Sequence, residues 1–252
     1  MMGSKDKSKF KNFLKSTKSP GNSGERTLRP EFELELKPEQ PIAQRCKMLK
    51  ELSDLHLQNI NLDETSITNL WQLTNDLIVP NKPAETRQIT LSFYKRLIFT
   101  QYKNLTIMRE KFFLVIQNHE AHEDLRHLLE LLDTLTENGK DITNFEEKIG
   151  KFMLHWIPAI THADLLSPYL QMMINLIKFN AAHLEKDVLV GIVQNACELS
   201  CTVPNDDIGL QCLTVLEMVI GYTIFPSEPL HQCIVTLCRT VNSNHYCQAS
   251  QV

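Results

Sequence analysis

Glycine is scarce, with 8 in 252 residues, and no glycine-built phosphate cradle is present: GxGxxG, GxxxxGK and a serine nucleophile elbow are all missing. So little glycine also leaves few of the tight turns that a sheet protein needs. No uninterrupted apolar run is long enough to cross a bilayer, and the opening MMGSKDKSKFKNFLKSTKSPGNSG holds no apolar stretch of secretory length. The seven cysteines include no CxxC knuckle. What remains is a chain of helix formers with 42% hydrophobic residues, enough for a substantial core.

The formal charge of -4 is unevenly spread. In residues 1–20 the six lysines Lys5, Lys7, Lys9, Lys11, Lys15 and Lys18 face only Asp6, a local sum of +5, which leaves -9 for the rest. An acidic body repels phosphate backbones, which argues against nucleic-acid binding. An odd number of cysteines, mostly within helical patterns at Cys46, Cys197, Cys201, Cys212, Cys233 and Cys238, reads as buried free thiols in a reducing, cytoplasmic compartment.

Residues 1–38 read as a disordered, Lys-rich arm, with a Ser/Gly/Pro stretch followed by the acidic alternation Glu31, Glu33, Glu35. Within it Lys9, Phe10, Phe13 and Leu14 have the spacing of a short membrane-surface helix, so peripheral contact with internal membranes is one alternative function. From residue 39 to 242 apolar residues recur at intervals of three and four, broken at Pro, Asn, Gly and Asp. Ile67, Leu70, Trp71, Leu77 and Ile78 share a face, answered by Ile89, Phe93, Leu97 and Ile98 after the Pro80 to Pro83 break. Leu105 to Ile116 pairs with Leu125 to Leu135, which stops at a left-handed cap, Asn138 and Gly139. Phe145 to Trp156 pairs with Leu165 to Ile177, and Val188 to Ala196 with Ile208 to Val219, where Asp206 is a candidate N-cap. A last helix after Pro226 has no partner, and residues 243–252 form a divergent tail.

The first helices begin near Thr65, Leu105, Phe145, Glu185 and Ser227, a period of about 40 residues that belongs to stacked helical hairpins. The fold expected is an all-α solenoid of HEAT-like hairpins, with an irregular bundle as the alternative. The half-repeat at the end suggests the front portion of a longer solenoid or a shortened product of one.

Candidate chemistry is thin. His119, His122 and His127 crowd with Glu120, Glu123 and Asp124, but the first two His are three apart instead of the four a metalloprotease helix needs. Glu123 and Asp124 suit the N-terminus of the next helix, so a metal-dependent hydrolase around His119 and His122 is only a rival reading. Trp71 and Trp156 fall on apolar stripes and read as core. No catalytic residue, cofactor, metal or small-molecule substrate is expected.

The strings LWQLTNDLIVPNKPAETRQ, LLDTLTENGKDITNFEEKIGKFMLHWI, INLIKFNAAHLEKD and PLHQCIVTLCRTVN resemble the N-terminal region of the tuberin family. The likeness runs from about Ser4 to Asn242 and lapses after Val241, where NSNHYCQASQV suggests a truncated isoform or a fragment. It implies membership of the tuberous sclerosis complex, with hamartin as partner and restraint of TOR signalling through the GTPase Rheb. The family's GTPase-activating domain has no match in these residues. An extended groove holding hamartin's coiled coil is the adaptor mechanism this implies. Arg87, Tyr94, Arg126 and Lys178, on the second helices of the pairs, are the candidate partner-binding residues.

Overall fold

The computed structural model describes residues 28–160 and 162–241, and of Val241 only the backbone. Among these are eleven α-helices and no strand. They are α1 (Pro30–Leu36), α2 (Ile42–Glu51), α3 (Glu64–Thr74), α4 (Ala84–Gln101), α5 (Met108–Gln117), α6 (Leu125–Leu135), α7 (Glu146–Trp156), α8 (Ala163–Asn180), α9 (Lys186–Thr202), α10 (Asp206–Tyr222) and α11 (Leu230–Val241).

The helices fall into two rows. In one row α2 packs on α4, α4 on α6, α6 on α8 and α8 on α10. In the other α1 meets α3, α7 meets α9 and α9 meets α11. Packing of α1 on α2, α5 on α6 and α9 on α10 joins the rows into hairpins. The second-row helices start at Ile42, Ala84, Leu125, Ala163 and Asp206, so the 40-residue period is real and the chain is an α-solenoid, not a bundle around one centre.

The cause lies in the apolar stripes. Leu128, Leu131, Leu132 and Leu135 of α6 are buried on both flanks and toward the other row. Each such side chain contributes about 1.5–3 kcal/mol on leaving water, but only once a neighbouring hairpin covers it. Phe113 of α5 stacks on Phe145 with centroids 4.6 Å apart, and Phe113, Phe152 and Trp156 continue the aromatic chain into α7. At Gly150 of α7 a Cβ would come within 2.9 Å of Val188 Cγ1, so the missing side chain lets α7 and α9 approach closely.

Polar bonds repeat the period. Leu28 N–H donates to Ser66 Oγ, Leu62 N–H to Gln101 Oε1, Lys148 Nζ to Glu110 and Asn175 Nδ2 to the Asn138 carbonyl, spanning 38, 39, 38 and 37 residues. Each ties one hairpin to the next at one register. The exposed Lys148–Glu110 pair adds little stability, whereas the buried members satisfy backbone groups that would otherwise be orphaned.

Several expectations need correction. Residues 30–36, expected as part of a disordered arm, are helical: Pro30 starts α1 at a position that needs no N–H, Glu31 and Glu33 face the positive helix end, and Phe32 and Leu36 are buried. With α2 it makes a hairpin ahead of the first one legible in the sequence. The buried Arg45 of α2 locks it there, donating to the Leu36 and Leu73 carbonyls at 2.9 and 2.7 Å and to Asp76 at 2.6 and 2.8 Å. The cap of α10 is Asn205, whose Oδ1 accepts from the N–H groups of Asp207 and Ile208, and not Asp206. Cys201 and Cys238 are exposed, while Cys46, Cys197, Cys212 and Cys233 are buried. No helix among the described residues is long and apolar enough to cross a membrane. Lys9, Phe10, Phe13, Leu14, Cys247 and the tail at 243–252 lie outside the described residues.

Candidate partner-binding surface

The outward faces of the second-row helices form a cleft of about 770 Å³ across α2, α4 and α6. The outward face of α4 is a largely polar stripe. On α4 that stripe runs through Gln88, Ser92, Lys95, Arg96 and Phe99, at helical spacing. Phe99 breaks the polar pattern: it is 67% exposed, on the opposite side of the helix from the buried Thr90 and Leu97. The Arg96 guanidinium carbon lies 5.7 Å from its ring centroid, a cation–π contact that holds the ring in place without burying it.

Around this aromatic tip α2 supplies Lys50, the π-helical turn Leu52–His56 that follows it supplies Asp54, and α6 supplies His127 and Glu130. Lys95 Nζ donates to Glu130 at 2.8 Å and so bridges α4 to α6 across the floor. The His127 Nδ1 is buried without a hydrogen-bond partner among the described residues. Beside the cleft, burial together with the repulsion of Glu130 outweighs the attraction of Lys95 and raises the Asp133 carboxyl above its usual range. Charges of both signs around one exposed aromatic ring suit a helix that offers an apolar side chain edged with mixed charges.

The four residues singled out from sequence divide. Arg87 is only 3% exposed, so a partner cannot reach it. Its Nε donates to Asp124 and its Nη2 to Glu123, both at 2.6 Å, and Nη1 donates to the Lys82 carbonyl. Tyr94 is fully buried too. Thr74 donates its hydroxyl proton to the Leu70 carbonyl, so Tyr94 O–H donates to Thr74 Oγ1 at 3.0 Å. Apolar surroundings push the phenol far above its usual range. Arg87 joins one hairpin to the next, and Tyr94 joins the two helices of its own hairpin. Arg126 and Lys178 do reach solvent. Arg126 pairs with Asp164 of the next second-row helix, and Lys178 Nζ and Lys140 Nζ lie 5.7 and 5.8 Å from the centroid of the exposed Phe179. They lie outside the cleft.

The histidine cluster also resolves into structure. His119 Nε2 is 2.8 Å from Asp124 Oδ2, and Gln88 Nε2 donates to the other oxygen at 3.1 Å. Asp124, expected as a helix cap, makes no side-chain cap bond. Its burial alone would raise the carboxyl, but hydrogen bonds from Arg87, His119 and Gln88 hold it below the usual range. Among the described residues no three His, Cys, Asp or Glu side chains converge as metal ligands. Trp156 is buried, while Trp71 is half-buried with Lys111 Nζ 5.0 Å from its ring.

Sequence reasoning missed Phe99, Arg96 and Lys50. A signal was there: Phe99 follows Leu97 and Ile98, and a 3.6-residue period cannot turn all three inward.

Residues 42–252 match the family described as Domain of unknown function (DUF3384). The Tuberous sclerosis 2 protein homolog of Schizosaccharomyces pombe is 22% identical over 204 residues, which cover 72% of this chain and 15% of that protein. A solved structure of the TSC2 N-terminus superposes with a TM-score of 0.77 at 19% identity, covering 87% of this chain and 57% of that one. The chain thus spans about a seventh of its curated relative's length, and the superposition supports the solenoid fold. It belongs to the DUF3384 family and is similar to the N-terminal region of tuberin.

Proposed function

We propose that the chain is a non-catalytic scaffold whose second-row cleft receives a helical segment of a protein partner, and that the partner is hamartin. The observation that carries this reading is Phe99, a large aromatic left in water in a cleft spanning three helices. Aromatic residues with arginine beside them are what interface hot spots are made of. The likeness to tuberin supports the choice of partner, and in this reading any restraint of Rheb and TOR signalling is exerted by an assembly that includes an activating domain. The site is cytoplasmic in this reading.

The test is titration of the purified chain with hamartin's coiled-coil region. Phe99→Ala is expected to weaken binding by about thirtyfold, the equivalent of a 2 kcal/mol hot spot. Its melting temperature is expected to stay within about 1 °C of the parent, because exposed side chains contribute little to stability. Absence of a complex with the parent chain contradicts the partner assignment. A complex that Phe99→Ala leaves unchanged contradicts the cleft.

A further inference from the structure

Along the first row, the seams from α5 to α11 are each closed by a lysine–glutamate bridge. Lys148 of α7 reaches Glu110 of α5, Lys151 of α7 reaches Glu185 just before α9, and Lys186 of α9 reaches Glu228 ahead of α11, at 2.7, 2.7 and 2.5 Å. The seam between α3 and α5 lacks such a bridge among the described residues. Lys111 of α5 stands 40 positions after Trp71 of α3 (111 minus 71), one repeat ahead. Its Nζ lies 5.0 Å from the Trp71 ring centroid, and it pairs with no carboxylate among the described residues.

This seam stays open as a groove of about 500 Å³. Trp71, Ile78 and Val79 form one wall, and Lys111, Leu114 and Val115 form the other. The α5 wall follows from spacing: Lys111, Leu114, Val115 and Asn118 recur at i, i+3, i+4 and i+7, a second edge beside the buried Phe112, Phe113 and Ile116. Val79 and Leu114 are 38% and 36% exposed. The Trp71 indole is half-buried, and its Nε1 is shielded from water with no hydrogen-bond acceptor among the described residues. Buried donors are nearly always paired.

Charge decides what fits. No Asp or Glu of the described residues lines the groove, and Lys111 is the one permanent cation there, His119 being tied to Asp124. One unpaired ammonium beside apolar walls attracts a single carboxylate, whereas a phosphate backbone needs a run of cations. The chain's own Lys-rich residues 1–20, with a local sum of +5, carry the wrong sign.

We infer that the α3–α5 groove is a second docking site, which takes an extended acidic peptide segment of a partner protein. A bulky apolar side chain of that segment rests between Ile78, Leu114 and the Trp71 ring, and a neighbouring Asp or Glu pairs with Lys111 Nζ. The amides of Asn75 and Asn118, which also line the groove, meet the extended backbone. A peptide carbonyl supplies the acceptor that Trp71 Nε1 lacks, after a small shift of the ring. The groove shares no residue with the cleft around Phe99, so the two sites are occupied independently.

The experiment selects a phage-displayed heptapeptide library on the full chain, then titrates the enriched peptides while following tryptophan emission. Enriched peptides are expected to carry Asp or Glu next to a bulky apolar side chain and to shift the emission of Trp71, Trp156 being buried in α7. Lys111→Glu is expected to weaken them about tenfold, Lys111→Arg to keep most of the affinity, and Phe99→Ala to leave it unchanged. Leu114→Asp is expected to abolish binding with little change in melting temperature, because that side chain already meets water. Absence of enrichment, enriched peptides without an acidic residue, or affinity indifferent to Lys111→Glu overturns the inference. So does loss of binding in Phe99→Ala, which would move the peptides to the second-row cleft. A dimer of the parent chain that Leu114→Asp dissociates would assign the groove to a second copy and overturns it as well.

Discussion

Replacing Gly139 by alanine is expected to lower the stability of the chain by about 3 kcal/mol, the sum of a left-handed backbone penalty and a steric clash. Gly139 has φ +79°, and a Cβ built there would sit 2.2 Å from the Met172 carbonyl oxygen. That neighbour is backbone in the middle of α8, so it cannot swing aside. The turn is heavily used. Gly139 N–H donates to Thr136 Oγ1 at 2.8 Å, and Asn180 Nδ2 donates to the Gly139 and Lys140 carbonyls at 3.1 and 3.0 Å. Forcing α8 outward breaks all of these at the joint between the third and fourth hairpins. The check is thermal melting, where a loss of this size moves the midpoint by about 10 °C. Asn138→Gly is the control: its φ is also positive, at 57°, and glycine accepts that conformation at least as well as asparagine. That variant is expected to stay within about 1 kcal/mol of the parent.

Arg87→Ala is expected to cost about 3–5 kcal/mol, because it leaves the fully buried Asp124 carboxylate without its guanidinium partner. Arg87→Lys recovers only part of the loss, since one ammonium cannot reproduce a fork that serves Asp124, Glu123 and the Lys82 carbonyl together. The pH dependence follows from the direction of the Asp124 shift. A carboxyl held below its unfolded value stabilises the fold fully above about pH 4, and that contribution fades as pH falls through the folded value. Urea midpoints of the parent and Arg87→Ala chains are therefore expected to differ most at neutral pH and to converge in acid. A gap that widens on acidification contradicts the assignment.

Much of the architecture was legible because hairpins announce themselves through local pattern. The stripes at Ile67, Leu70 and Leu77, at Phe112 and Ile116, and at Leu128, Leu132 and Leu135 all proved buried. The cap at Asn138 and Gly139 is left-handed, as those residue types imply. The first hairpin was not legible, because α1 has only 7 residues with two buried apolar side chains, and a charged Arg45 stands where α2 meets its neighbours. Burial of that arginine depends on the Leu36 and Leu73 carbonyls, which no local window contains. The same physics misplaced the docking residues. Arg87 and Tyr94 look like surface chemistry in a string of letters, and only partners 36 and 37 positions ahead for Arg87, and 20 behind for Tyr94, make them interior joints. A 40-residue period has this general effect, since every polar group can meet a counterpart one hairpin away.

The scaffold reading rests on one face of the second row being where another helix lies. Hydrogen–deuterium exchange of the chain alone and with hamartin's coiled-coil region tests it directly. Slowed exchange is expected in peptides covering Lys50 to Gln58, Glu85 to Phe99 and His127 to Thr134, the three lengths of chain that line the cleft. Protection confined to the first-row helices α3, α5 and α7, with those three segments unchanged, would contradict it.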